Sequence, residues 1–106
     1  MRSIENKTTR ISINDGKVLT IATYADLMRM VINQGKQGGF DYADMEQRMA
    51  ISKALNVLKD ALEDAPKIIE LEEANYKYFK SLVAEMKWSF WHEDLLKFKD
   101  DIFDAK

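Results

Sequence analysis

Thr8-Thr9-Arg10-Ile11-Ser12-Ile13-Asn14-Asp15-Gly16-Lys17-Val18-Leu19-Thr20-Ile21-Ala22 is the stretch that decides the fold. β-Branched residues dominate it. Arg10-Ile11-Ser12-Ile13 alternates polar and apolar, as do Lys17-Val18 and Leu19-Thr20-Ile21. A period of two puts one apolar face on a strand. Between the runs stands Asn14-Asp15-Gly16, whose Asp-Gly pair supplies the two positive-φ residues of a tight turn. The stretch predicts a β-hairpin. An isolated two-stranded hairpin is marginal in water, so its apolar face must rest on other elements.

The remainder reads as helices. Thr23 is an N-cap, with Asp26 three residues on where its charge favours the positive end of a helix dipole. Leu27, Met28, Met30, Val31 and Ile32 give that first helix a broad apolar face. Gly35-Lys36-Gln37-Gly38-Gly39 ends it. A second helix is predicted from Asp41 to Asp64, with Asp41 as cap and Phe40 stapled onto Met45. Met45, Met49, Leu55, Leu58 and Leu62 form its expected core stripe, flanked by Ile51, Ala54 and Ala61. Ala65-Pro66 stops it, because the residue before proline is pushed out of helical geometry.

Lys67-Ile68-Ile69-Glu70-Leu71 reads as a third strand or an extended linker. A third helix follows over Glu73–Lys87, with Tyr76, Phe79, Leu82, Val83 and Met86 inward. Trp88-Ser89-Phe90-Trp91-His92 is an aromatic connector to a fourth helix ending near Ala105. There Trp91, Leu95, Phe98 and Ile102 share a face. The expected fold is α+β and mainly α: an N-terminal β-hairpin packed on a bundle of about four helices. With 106 residues it is read as a single domain, residues 1–106, with residues 1–8 a flexible N-terminus.

Composition narrows function. Apolar residues make up 46% and charged residues 32%, an ordinary globular balance. No apolar run is long enough for a membrane span, and Met1-Arg2-Ser3-Ile4-Glu5-Asn6-Lys7 has no signal-peptide pattern. The expectation is a cytoplasmic protein without membrane contact. Cysteine is absent, which excludes disulfides, thiolate metal sites and a cysteine nucleophile. One histidine, His92, excludes a multi-histidine metal site within a chain. No phosphate-binding loop or dinucleotide fingerprint is present. Asp41 and Asp44 would repel a phosphate at the glycine loop. Neighbouring acids such as Glu72/Glu73 and Asp100/Asp101 point apart on a helix and do not converge on one proton. The reading is therefore no enzyme, no catalytic residue, no cofactor and no metal.

Net charge is −2 but unevenly placed. Residues 1–59 hold nine Lys/Arg against six Asp/Glu, and residues 60–106 hold seven against twelve. The halves thus carry +3 and −5. This is either an ordinary solvated surface, or a basic face for an acidic partner or for head-to-tail self-association. Three aromatics within four residues cannot all face one interior. Trp88, Phe90 and Trp91 are therefore the candidate partner-binding residues, since exposed aromatics anchor interfaces. Met28, Met30, Met45 and Met49 add adaptable surface or core filling. The leading expectation is a non-enzymatic interaction protein that binds a protein partner or itself. The alternative is a small nucleic-acid-binding protein using Arg10 and Lys17 of the basic hairpin with Lys36, although a pI near 5.4 opposes polyanion binding.

Thr23-Tyr24-Ala25-Asp26-Leu27 is echoed by Asp41-Tyr42-Ala43-Asp44-Met45, which reads as convergence on helix-start chemistry rather than duplication. The hairpin, the Thr23–Leu27 helix start, and Ile69-Glu70-Leu71-Glu72-Glu73-Ala74-Asn75-Tyr76 through Met86-Lys87-Trp88 resemble small proteins encoded by bacteriophages and prophages. The resemblance is one of pattern, over residues 10–103. It implies an accessory, regulatory or assembly factor acting in the cytoplasm of a bacterial host, with a host or viral protein as partner.

Overall fold

The computed structural model describes residues 1–15, 18–56, 68–88 and 90–105. Eight elements follow one another: β1 (Arg2–Glu5), β2 (Thr8–Asp15), β3 (Val18–Thr23), α1 (Tyr24–Asn33), α2 (Tyr42–Asn56), β4 (Ile68–Leu71), α3 (Glu73–Glu85) and α4 (Glu93–Phe103). The fold is α+β and mainly α, with the N-terminal hairpin packed on helices, as the sequence predicts.

β2 and β3 form the hairpin. Asp15 pairs with Val18, Asn14 with Leu19, Ile13 with Thr20 and Ser12 with Ile21. This register makes Asp15 a strand residue rather than a positive-φ turn residue. Gly16 and Lys17 lie outside the described residues. Ile11 and Ala22 are buried beneath the hairpin, whereas Leu19 and Ile21 face solvent. The register shifts between Thr8 and Ser12. Such a bulge releases backbone groups from the ladder. Thr9 Oγ1 takes up part of the slack, donating to Ala22 O and accepting from Ile11 N.

Residues 1–8 are not the loose terminus the sequence suggested. β1 pairs antiparallel with β4 across Arg2–Leu71, Ser3–Glu70, Ile4–Ile69 and Glu5–Ile68. The same pairing makes Ile68–Leu71 a strand rather than a linker. Ile4, Ile69 and Leu71 enter the core. The Arg2 guanidinium grips both Glu73 carboxylate oxygens at 2.9 and 3.1 Å and donates to Ala105 O at 3.0 Å. One apolar residue in a polar tetrapeptide left no readable period, because β1 is specified by a partner strand distant in sequence.

The core joins Leu27, Met28, Val31 and Ile32 of α1 to Ile51 and Leu55 of α2, Phe79 and Val83 of α3, and Leu95, Phe98 and Ile102 of α4. α3 ends at Glu85, two residues before the expected Lys87. α2 departs from expectation in its inward face. Ile51 and Leu55 are buried, but Met45 and Met49 are exposed. Polar anchors set this rotation. Asp44 accepts from Lys36 Nζ at 2.8 Å, Tyr78 Oη at 2.9 Å and Asp41 N at 3.2 Å. Arg48 donates to Tyr78 Oη and to Ile32 O and Gln34 O at the end of α1. Turning Met45 and Met49 inward would carry Asp44 and Arg48 away from these partners. Phe40 stacks under the Arg48 guanidinium, 4.4 Å from its ring centroid. The chain returns from α1 to α2 through Gly38 and Gly39, whose φ values of 87° and 85° favour glycine. Leu58, Ala61 and Leu62, expected to extend the α2 stripe, and the Ala65-Pro66 stop lie outside the described residues.

Candidate interaction surface at the start of the last helix

The aromatic connector divides into an anchored and an exposed part. Trp88 is partly buried and packs on the core. Its ring meets Phe98 edge-on at 6.4 Å and Phe90 at 5.9 Å. T-shaped contacts of this kind favour a fixed ring arrangement. Phe90 lies partly over Trp88 and stays exposed, and Trp91 is 82% exposed. Trp91 was expected on the inward face of the fourth helix. It precedes that helix instead, because His92 is the N-cap and α4 begins at Glu93.

His92 caps through its ring: Nδ1 accepts from Asp94 N at 3.0 Å. Trp91 and Leu96 then occupy the N′ and N4 positions, the two places that a hydrophobic staple uses. Leu96 nevertheless remains 58% exposed. Apolar periodicity alone does not single out Leu96. Its spacing of five from Trp91 across a capping residue is the signal that links the two.

The start of α4 is held from the hairpin. The bulge frees the Arg10 backbone N–H, which donates to Asp94 Oδ2 at 2.8 Å. Arg10 Nε and a terminal guanidinium nitrogen reach the same carboxylate at 3.2 and 2.9 Å, and the guanidinium also meets Glu93. The Arg10 side chain and backbone together hold the Asp94 carboxyl far below its usual range. Asp94 in turn pushes Arg10 further up, with help from Glu93. Two turns later, Asp101 Oδ2 accepts from Tyr24 Oη at 2.5 Å and from Lys7 Nζ at 3.1 Å. Burial opposes the Asp101 charge, but these two donors still carry its carboxyl below the usual range. Burial first, then Asp101, pushes the Tyr24 phenol up. Lys7, Arg10, Tyr24, Asp94, Lys97 and Asp101 line an open cleft of about 540 Å³ between β2 and α4.

Part of the uneven charge of the chain is taken up by contacts between its two halves. Arg2–Glu73, Lys7–Asp101, Arg10–Glu93 and Arg10–Asp94 all join the basic half to the acidic half. Of the three cations considered for nucleic acid, Arg10 is engaged by Glu93 and Asp94, and Lys36 by Asp44. Lys17 lies outside the described residues. Trp88 and Phe90 are brought into ring contact while Trp91 projects into solvent, whereas Arg10 and Lys36 sit on separate acids and form no common stripe.

Among the described residues, no three His, Asp or Glu side chains gather as a metal site, and no helix is long and apolar enough to cross a membrane. No family model matches the chain, and no curated protein or solved structure is similar enough to report.

Proposed function

We propose that this chain is a non-enzymatic interaction protein that binds a protein partner through Phe90, Trp91 and Leu96. The observation that supports it is a tryptophan 82% exposed at the entry to a helix whose start is tied down on three sides. His92 caps that start, Arg10 grips Asp94, and Trp88 wedges the connector against Phe98. A large aromatic on a fixed base loses little freedom on binding, which favours an interface anchor. The pattern resemblance to phage-encoded proteins supports an accessory role in a bacterial cytoplasm, with a host factor or virion-assembly component as partner.

The nucleic-acid reading loses support, because the described hairpin and loop cations chosen for it already neutralise acids of the same chain. Counterion release needs cations that meet phosphate instead.

The test is capture on the tagged chain from cells that express it natively, followed by affinity measurement with the purified partner. Trp91→Ala is expected to weaken binding about thirtyfold, the scale of an aromatic anchor. Its thermal transition is expected to stay cooperative and within ~0.5 kcal/mol of the parent. Unchanged affinity, or loss of the cooperative transition, overturns the assignment.

A further inference from the structure

A second apolar surface lies on α2. Tyr42, Met45 and Met49 are exposed and follow one another at spacings of three and four residues. That spacing makes a single stripe along a helix. Singly scattered apolar residues are normal on a protein surface, but a stripe of three large ones along one helix is not scatter. The stripe is not idle core filling either, since Asp44, Arg48, Ile51 and Leu55 occupy the inward side.

The charges beside the stripe choose its occupant. Glu46 and Lys53 are both exposed, three residues before and four residues after Met49. A second α2 laid antiparallel across a two-fold axis at Met49 brings Glu46 of each copy beside Lys53 of the other. Tyr42 then faces Asn56 of the second copy, and Met45 packs along the Lys53 stem. A parallel arrangement would instead stack Glu46 on Glu46 and Lys53 on Lys53. The stripe is thus complementary to itself in one orientation, the requirement of an isologous interface. We infer that α2 pairs with α2 of a second copy of this chain, antiparallel about Met49. This concerns a different surface from Trp91 and leaves that surface open to a partner.

Sedimentation velocity across a concentration series into the upper micromolar range tests the inference. The wild-type mass is expected to rise towards twice the 12.3 kDa of the chain. Met49→Glu sets two carboxylates against each other at the axis and is expected to give a monomer with an unchanged circular-dichroism melt. Lys53→Glu is expected to weaken dimerisation about tenfold. Combining it with Glu46→Lys restores two opposite pairs and is expected to recover the dimer. Trp91→Ala is expected to dimerise like the parent. A wild-type monomer at every concentration overturns the inference. So does a dimer that survives Met49→Glu, a charge swap that fails to recover association, or a dimer lost in Trp91→Ala.

Discussion

Thr23-Tyr24-Ala25-Asp26-Leu27 and Asp41-Tyr42-Ala43-Asp44-Met45 begin two helices with nearly the same residues and end in opposite environments. Their local chemistry is alike. Thr23 Oγ1 accepts from Asp26 N, and Asp26 Oδ2 accepts from Thr23 N at 2.9 Å. Asp41 Oδ1 accepts from Asp44 N at 2.8 Å, and Asp44 Oδ2 accepts from Asp41 N. Both are reciprocal capping boxes. Beyond the cap they diverge. Tyr24 is 4% exposed and Leu27 is fully buried, whereas Tyr42 is 83% exposed and Met45 stands half in solvent. The difference lies in what else the third helical residue touches. Asp26 has Thr23 and Arg29 from its own helix as partners. Asp44 is drawn inward by Lys36 and Tyr78. A carboxylate with tertiary partners takes the inward direction, and the apolar residues beside it turn outward.

The largest expected contrast is between Leu27→Ala and Met45→Ala. Leu27 lies wholly within the core, so its truncation removes buried area and leaves a cavity. The expected cost is about 3 kcal/mol. Met45→Ala is expected to stay within about 0.5 kcal/mol, as for an exposed site. Urea unfolding of both variants reads the difference as a shift in midpoint. Equal shifts would mean that α2 is rotated from the orientation described.

The echo also marks how far the sequence was readable. The caps of α1 and α2, the hairpin and the helix order depend on neighbours within a few residues, and these were legible; the cap of α4 was not, since Trp91 was placed within that helix. The buried face of α2 was not, because apolar periodicity assigns Met45 and Met49 inward while Asp44 and Arg48 decide otherwise through Lys36, Tyr78 and Ile32. β1 was missed for the same reason: only its pairing with Ile68–Leu71 makes Arg2–Glu5 a strand. The charge split was visible, but its meaning was not. Lys7 and Arg10 meet Asp101 and Asp94 only after the chain has folded back. At the candidate surface, the aromatic cluster was legible as a group. Its division into an anchored Trp88 and a projecting Trp91 depends on where α4 starts.

Next in size is the acid dependence of the inward cap. Lys36, Tyr78 and the Asp41 N–H hold the Asp44 carboxyl far below its usual range. In the unfolded chain an aspartate titrates near ~4. A depressed folded value makes the unfolded chain bind the proton first, so the stabilisation is complete above that pH and fades as pH falls further. Asp44→Asn is therefore expected to be less stable than the parent at neutral pH, with the gap closing below about pH 4. Thermal melts from neutral pH to about pH 2 read it. A gap that stays constant into acid would show that the Asp44 charge is not what turns the helix.

The smallest contrast concerns the two tyrosines. Tyr24→Phe keeps the edge-on contact with Phe98 at 5.2 Å and loses only the hydroxyl that donates to Asp101. Asp101 retains Lys7 and some solvent, so the expected loss is about 1 kcal/mol rather than the full cost of a stranded buried charge. Tyr42→Phe is expected to change nothing measurable. The Tyr24 hydroxyl also has a signature in alkali. Burial and Asp101 raise its folded value, so the protonated phenol stabilises the fold below the unfolded value near ~10, and the effect is lost as pH rises above it. Tyr24→Phe has no such proton to lose, so its stability is expected to fall less steeply than the parent's above about pH 10. If the two alkaline limbs coincide, the Tyr24 hydroxyl is not held in its protonated form by burial and Asp101, and the contrast with the exposed Tyr42 does not extend to its proton.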